Sequence, residues 1–121
     1  MPSDAHEPAR EPGDLARLFI RHANAGDVEG LVGLYEPGAV LAAGRVVATG
    51  QAEIRAFYAD LLSRRSEFPA PEELPPVHNG GLAMTFARLP NGTVSAEVAR
   101  QQADGTWLWV IDQLKIAPPK G

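Results

Sequence analysis

Apolar residues in the first half of the chain repeat at the spacing of an α-helix. Residues 14–24 therefore predict a first helix, and Gly26 supplies the left-handed turn that commonly ends one. A second helix begins after Asp27, which can cap it, and ends at Pro37-Gly38. The predicted buried faces of these two helices hold Leu15, Leu18, Phe19 and His22 in the first, and Val28, Leu31, Val32 and Tyr35 in the second.

Two short apolar runs, residues 39–43 and 46–49, predict a pair of strands around a Gly-Arg turn. A third helix follows over residues 51–65 and has the clearest amphipathic pattern in the chain. Its stripe consists of Ile54, Phe57, Tyr58, Leu61 and Leu62.

The second half of the chain changes to the two-residue alternation of strands. Residues 66–76 hold four prolines, which predicts a loop or an extended edge. Residues 82–89, 93–102 and 106–116 are then strand candidates separated by Asn-Gly and Asp-Gly turns. Helices followed by a run of antiparallel strands indicate an α+β fold with segregated layers. Residues 1–13 show no apolar periodicity and predict a flexible tail, which leaves residues 14–117 as the domain.

Composition narrows the function without assigning it. The net charge of −4 comes from interspersed charges, so we expect no nucleic-acid partner. No window holds 18 apolar residues and the N-terminus lacks a signal-like stretch, so we expect no membrane association and cytoplasmic residence by default. The absence of cysteine removes disulfides, thiol nucleophiles and thiolate metal sites. We also find no phosphate-binding loop and no nucleophile elbow, and we expect no cofactor.

The order and spacing of several short motifs resemble the ketosteroid-isomerase/SnoaL-like branch of the nuclear-transport-factor-2-like superfamily. The resemblance covers nearly everything from Asp14 to Ile116. It implies three helices on a strongly curved antiparallel sheet, a cone with a pocket at its open end, and homodimers built through the sheet. The motifs are Asn24-Ala25-Gly26-Asp27, the Gly-Leu-Val-Gly-Leu-Tyr of 30–35, Gly50 with Ile54-Arg55 and Phe57-Tyr58, and the final hairpin around Ser95–Val98, Asp104–Trp107 and Val110–Asp112.

The last predicted strand supports the implied dimer independently. Trp107, Trp109 and Ile111 alternate with Leu108 and Val110, so both of its faces are apolar. A strand that is apolar on both faces is covered on both, and a partner subunit is the economical cover. The alternative is a central strand covered by the tail or the proline-rich loop.

The resemblance also allows the known catalytic groups to be placed one by one. Ketosteroid isomerases use a carboxylate base, a tyrosine and a neutral carboxylic acid. The base falls on Ala43 and the tyrosine on Phe19, neither of which is ionisable, whereas the acid falls on Glu97. Steroid isomerisation by that mechanism is therefore not expected.

The orientation of Glu97 stays open at this level. Alternation alone favours a solvent-facing Glu97, whereas the family register points it into the cone beside Ser95. A three-residue turn at 103–105 pairs Gln102 with Thr106 and sets Glu97 opposite Ile111, which we expect, with Asp112 near the rim or the dimer interface. A two-residue turn would instead set Glu97 opposite Asp112.

The remaining candidates follow from their residue types. His22 and His78 join Glu97 as candidate acid–base residues, whereas His6 lies in the predicted tail and is expected to be inert. The three histidines are scattered, so no metal site is expected. The candidate ligand pocket comprises Phe19, Tyr35, Phe57, Tyr58, Ser95, Trp109 and Ile111.

Three functions are consistent with this pattern. The first is a domain that binds a small, largely apolar molecule. The second is a SnoaL-like isomerase or aldol cyclase that uses an enclosed carboxylate. The third is a dimerisation or accessory module whose pocket is filled by aromatic side chains. A shared fold cannot choose among them.

Overall fold

Three helices pack against one face of a six-stranded sheet in the computed structural model, which describes residues 6–117. The sheet order is β2-β1-β6-β5-β4-β3, and neighbouring strands are antiparallel except for the parallel pair β1 and β6. The elements are α1 Pro12–Asn24, α2 Val28–Val32, β1 Tyr35–Ala43, β2 Val46–Thr49, α3 Gly50–Arg64, β3 Glu72–Asn79, β4 Leu82–Arg88, β5 Val94–Gln101 and β6 Trp107–Ala117. The predicted α+β class, with helices on a curved sheet, is confirmed.

Helix α1 begins with a capping box in which Glu11 and Asp14 bond each other's backbone N–H groups. Pro12 occupies the first turn, where its missing N–H leaves no bond unmade. Leu15 and Leu18 are fully buried and anchor the helix on the sheet. No helix among residues 6–117 is long and apolar enough to cross a membrane.

Helix α2 is shorter than the pattern predicted. It ends at Val32, and Tyr35 is the first residue of β1 instead of the last member of a helical stripe. The reason is tertiary, because the Trp109 N–H donates to the Leu34 carbonyl and Tyr35 pairs with Trp109. Pro37-Gly38 consequently lies inside β1, where the register with β6 shifts, and does not end a helix.

The N-terminal segment packs against the sheet from residue 6 onward. Ala9 is buried and its carbonyl accepts a 2.9 Å hydrogen bond from the Trp107 N–H. Glu7 makes ion pairs with Arg17 and Arg21 of α1. Residues 6–13, which were predicted to be part of a flexible tail, therefore contact the domain, and residues 1–5 lie outside the described part of the chain.

The proline-rich segment ends in the edge strand β3. Pro75 and Pro76 fall where the pairing of β3 with β4 shifts between Leu74 and Val77. Proline is tolerated there because an edge strand and an irregular register leave some N–H groups without a ladder partner. This is the extended edge that the sequence allowed.

A bulge in β6 sets the register of the central hairpin. Gln102 donates its N–H to the Thr106 carbonyl, as the three-residue turn requires. Further along, Ala99 pairs with Trp109 but Val98 pairs with Ile111, so Val110 is an extra residue. Beyond Val110, even-numbered residues of β6 take the inward-facing positions that odd-numbered residues hold before it.

The bulge corrects two sequence predictions. Glu97 lies opposite Asp112 and not opposite Ile111, although the turn itself has the expected form. Asp112 is turned into the core and is 1% exposed, whereas Ile111 is turned outward and is 50% exposed. Asp112 is therefore an interior residue and not a rim residue.

Candidate functional site

A cavity of about 170 Å³ lies between α1, the chain that follows α3, and the inner face of strands β4 to β6. Most of its wall is aliphatic, aromatic or proline. Only a few ionisable or hydroxyl side chains reach it. The lining residues are Ala16, Phe19, Ile20, Leu61, Arg65, Phe68, Pro69, Pro71, Ala87, Leu89, Ser95, Glu97, Trp109, Asp112 and Leu114.

The loop that closes one side of the cavity is held by Asn24 at the end of α1. The Asn24 side chain donates to the Phe68 carbonyl at 3.0 Å and accepts from the Phe68 N–H at 2.8 Å. The exposed Arg65 guanidinium stacks 4.6 Å from the centre of the Phe68 ring. This wall is therefore fixed by specific contacts, although it lies between regular elements.

Glu97 on β5 lies in the cavity wall and is 7% exposed. The Thr85 hydroxyl donates to one carboxylate oxygen at 2.6 Å, and the Ser95 hydroxyl donates to the other at 2.6 Å. Burial raises the pKa of Glu97, and the two hydroxyl donors act against that rise because they stabilise the anion. Glu97 is thus a buried carboxyl group whose charged form is supported on both oxygens.

Asp112 on β6 is the second carboxyl group of the cavity. The Tyr35 hydroxyl donates to Asp112 Oδ2 at 2.5 Å, and the Tyr58 hydroxyl lies 2.6 Å from that of Tyr35. Because the Tyr35 proton is directed to Asp112, the bond between the tyrosines is donated by Tyr58. Burial, followed by the nearby Glu97 charge, raises the pKa of Asp112 to about 8.

Burial raises the pKa of both carboxyl groups, and the Glu97 charge adds to the rise at Asp112. Glu97 and Asp112 are paired across the β5–β6 ladder, where two adjacent negative charges repel strongly. Glu97 accepts two hydroxyl hydrogen bonds and Asp112 accepts one, so the charge is better supported on Glu97. With a pKa of about 8, Asp112 keeps its proton at neutral pH and is a neutral carboxylic acid in the cavity wall.

Two residues of the cavity wall each have a fully covered polar side-chain atom with no hydrogen-bond partner within residues 6–117. These atoms are Asp112 Oδ1 and the indole Nε1 of Trp109. The Nε1–H is a donor, and Oδ1 becomes one when it carries the Asp112 proton. Buried donors without partners are rare and costly in a folded protein.

The structure brings only some of the predicted site residues to this cavity. Phe19, Ser95, Glu97 and Trp109 line it. Tyr35 and Tyr58 lie behind the wall, where they act on Asp112 through hydrogen bonds. The other predicted site residues, none of which lines it, are Phe57, Ile111, His22 and His78.

The reasons for these departures are visible in the packing. Phe57 packs edge-on against Tyr58, with ring centres 5.1 Å apart. Ile111 lies on the outer face of the sheet because of the β6 bulge, so its assignment to the pocket is corrected. His78 is exposed on β3 and contacts the edge of Trp107.

His22 lies in a different part of the molecule, close to His6 and Asp27. His6 Nε2 is 2.8 Å from Asp27 Oδ2, and His22 Nδ1 is 3.8 Å from the same oxygen. The sequence had placed the histidines apart from one another, and the structure corrects this for His6 and His22, whose ring centres are 5.0 Å apart.

Asp112 is the residue that sequence reasoning misplaced. Its inward position depends on the bulge at Val110, which follows Trp109 and precedes Ile111 in an uninterrupted apolar run. Such a run fits either register, so the sequence contains no signal for the reversal. A two-residue turn would also have paired Glu97 with Asp112, whereas in the structure the pairing results from a three-residue turn and the bulge at Val110.

Comparison with known proteins establishes the fold of the chain and does not establish its function. No family model matches the chain, and no curated protein matches it. A ketosteroid isomerase-like protein from Erwinia carotovora atroseptica is similar at 21% identity with a TM-score of 0.71, covering 88% of this chain and 94% of that one. A protein with a cystatin-like fold from Nostoc punctiforme has 17% identity and a TM-score of 0.72, with 88% of each chain covered.

An NTF2-like protein from Pseudomonas putida is also similar, at 15% identity with a TM-score of 0.69, covering 88% of this chain and 83% of that one. The chain therefore has the nuclear-transport-factor-2-like fold that its motifs indicated. At these identities the likeness extends to the fold alone.

Replacing Asp112 with asparagine should make the free energy of unfolding less dependent on pH. An acid whose pKa rises from 3.8 to about 8 on folding binds its proton more tightly in the folded state. The stability that this proton confers is present at low pH and is lost as pH rises through that interval. Urea denaturation at several pH values should show wild type losing stability toward about pH 8 faster than Asp112→Asn.

The matched control is Asp60→Asn, which removes an exposed aspartate on α3. Its pH profile should follow wild type through the same interval. Parallel profiles for Asp112→Asn and wild type would contradict the assignment of the proton to Asp112.

Proposed function

We propose that the chain binds a small, largely apolar molecule that carries one oxygen acceptor, such as a carbonyl group. The observation that supports this is the combination of an apolar cavity with two buried donors that lack partners, on Trp109 and Asp112. A carbonyl oxygen has two lone pairs and can accept from both. Because both atoms are fully covered, binding would require the side chains in front of them to rotate before the ligand oxygen could accept from them.

The cavity volume limits the size of that molecule. About 170 Å³ is close to the roughly 150 Å³ of an engineered apolar cavity that accepts benzene. A single substituted ring fits this space, whereas a four-ring steroid exceeds it. The proposal is therefore a ligand of one-ring size.

The Trp109 donor should contribute to selectivity for an oxygen acceptor. Acetophenone and α-methylstyrene have nearly the same shape, but only the former has a carbonyl oxygen. We expect tighter binding of acetophenone, and we expect Trp109→Phe to reduce that preference by about threefold to tenfold, since a neutral hydrogen bond contributes roughly 1 kcal/mol. Isothermal titration calorimetry with both ligands measures the ratio directly.

The ratio of the two dissociation constants is the informative quantity, because a smaller side chain at position 109 changes the cavity volume for both ligands alike. Trp107→Phe is the control, since Trp107 is on the same strand but does not line this cavity. Equal affinity of wild type for the two ligands, or no binding of either, would contradict the proposal.

A second candidate function is acid–base catalysis on the bound molecule, an isomerase or aldol-cyclase type of reaction. It is favoured by the pairing of a hydrogen-bonded carboxyl group, Glu97, with a neutral acid, Asp112, in the wall of one cavity. Glu97 would remove a proton from the carbon beside the carbonyl while Asp112 donates a hydrogen bond to the carbonyl oxygen. The proton returns from Glu97 to another carbon, or to the same one.

This reaction differs from the ketosteroid-isomerase arrangement, whose base falls on Ala43 and whose tyrosine falls on Phe19. His22 and His78 lie away from the cavity, so neither contributes to this candidate.

Exchange of the acetophenone methyl protons in D₂O tests the candidate without knowledge of the natural substrate. NMR should show exchange faster than in buffer, and Glu97→Gln should slow it by about a hundredfold, the lower range for loss of a general base. Glu72→Gln, an exposed carboxylate on β3, should exchange like wild type. Exchange at the buffer rate with wild type would exclude this reaction while leaving ligand binding intact.

The third function, an accessory module with a filled pocket, is less well supported. It predicts that Phe19, Phe57 and the tryptophans fill the pocket and that no group has an unusual pKa. The open volume of about 170 Å³ and the raised pKa of Asp112 both count against it.

We further propose that the chain forms a homodimer through the outer face of the sheet. Cross-strand pairing places Val77, Met84, Val98 and Ile111 side by side from β3 to β6. Three of them are large apolar residues at 43–61% exposure, Val77, Met84 and Ile111. A continuous apolar row across four strands is the pattern of a face that another subunit covers.

Ile111→Lys should convert the dimer to a monomer, because it buries a charge in the middle of that row. Light scattering coupled to size exclusion measures the mass. Val46→Lys is the control, since Val46 is equally exposed at 52% but lies on β2 at the far edge. A monomeric wild type, or a dimer that tolerates lysine at position 111, would contradict this interface.

A further inference from the structure

We propose that His6, His22 and Asp27 form a binding site for a divalent transition-metal ion such as Zn²⁺. One ligand atom from each residue, two imidazole nitrogens and one carboxylate oxygen, lies within 4.8 Å of the other two. The site is separate from the cavity around Glu97, whose lining includes none of these residues.

The fold brings the three residues together from separate positions in the sequence. His22 is in the last turn of α1, and Asp27 is the residue that caps α2. His6 arrives on the N-terminal segment, which the Ala9–Trp107 backbone bond holds in place. The cluster therefore depends on packing that the sequence does not reveal.

The spacing is close to that of a coordination site. His6 Nε2 and His22 Nδ1 lie 2.8 Å and 3.8 Å from Asp27 Oδ2. Ligand atoms held about 2.0–2.1 Å from zinc in a tetrahedral site lie roughly 3.3 Å apart. Small side-chain rotations convert one arrangement into the other, with water completing the coordination.

The protonation states suit a metal. Burial, followed by the neighbouring His6, lowers the pKa of His22, so its imidazole is neutral at physiological pH. Although burial acts to raise the pKa of Asp27, hydrogen bonds from the Gly30 N–H and from His6 lower it overall. His22 Nε2 is buried without a hydrogen-bond partner within residues 6–117, and Nδ1, the proposed ligand atom, lies 3.8 Å from Asp27 Oδ2.

Gly30 leaves the space that this arrangement needs. A Cβ at position 30 would lie 2.7 Å from Cγ of the His22 ring and 2.8 Å from Asp27 Oδ2. Any larger residue would push the imidazole and the carboxylate out of place. Glycine at this position therefore permits the buried ring to lie beside the carboxylate.

The donor set determines the class of ion. Two imidazole nitrogens and one carboxylate favour zinc or a neighbouring transition metal, whereas calcium and magnesium prefer sites made of oxygen. A bound ion would join the N-terminal segment to the junction of α1 and α2. Metal binding would accordingly raise the midpoint of thermal unfolding.

Zinc titration of the tag-free full chain by calorimetry tests the proposal. We expect one saturable site per chain, and a loss of affinity of about tenfold or more in His6→Gln, because losing a ligand costs no less than losing an outer-shell partner. His78→Gln, which removes an exposed histidine from β3, should bind like wild type. Asp27→Asn provides a second variant that retains a good helix cap while removing the charged ligand.

Crystals soaked in zinc should show anomalous density between the three side chains. No saturable zinc binding by wild type would overturn the proposal. Undiminished binding in both His6→Gln and Asp27→Asn would overturn it as well, because the ion would then be held elsewhere.

Discussion

The extra residue in β6 is the constraint on which the rest of the site depends. A strand with strict two-residue alternation cannot turn both Trp109 and Asp112 to the same face, because they are three residues apart. The bulge at Val110 removes that restriction and sets Asp112 directly opposite Glu97. It also turns Ile111 outward, where it extends the apolar row on the other face. This one bulge thus places a carboxyl group on the inner face of the sheet and an apolar side chain on its outer face.

The consequence on the inner side is a pair of buried carboxyl groups that share an apolar wall. Such a pair is unfavourable unless it holds a proton and its remaining charge is hydrogen-bonded. The chain meets both requirements through hydroxyl groups. Thr85 and Ser95 support the charge on Glu97, and the two tyrosines support Asp112. These hydroxyl groups come from β1, α3, β4 and β5, so the arrangement forms only when the sheet and helices are assembled.

The N-terminal segment illustrates the same dependence on assembly. Its composition is that of a disordered tail, yet Ala9 is buried and bonded to the start of β6. The segment is held in place by one backbone hydrogen bond and by ion pairs between Glu7 and α1, and none of these contacts depends on an apolar pattern. Pattern analysis detects periodic burial, and this segment is held by contacts that have no period.

The sequence by itself determined the class of fold, the approximate limits of α1, α3 and the last three strands, and the candidacy of Glu97. The class of fold and the limits of these elements depend on local periodicity, caps and turn residues, which act over a few neighbours. The candidacy of Glu97 came from the family resemblance, because alternation alone favoured a solvent-facing side chain. Tertiary structure decided the length of α2, the inward position of Asp112 and the meeting of His6 with His22. Each of these is set by pairing between distant segments, and hydrogen bonds to β6 override the local preference wherever the two compete.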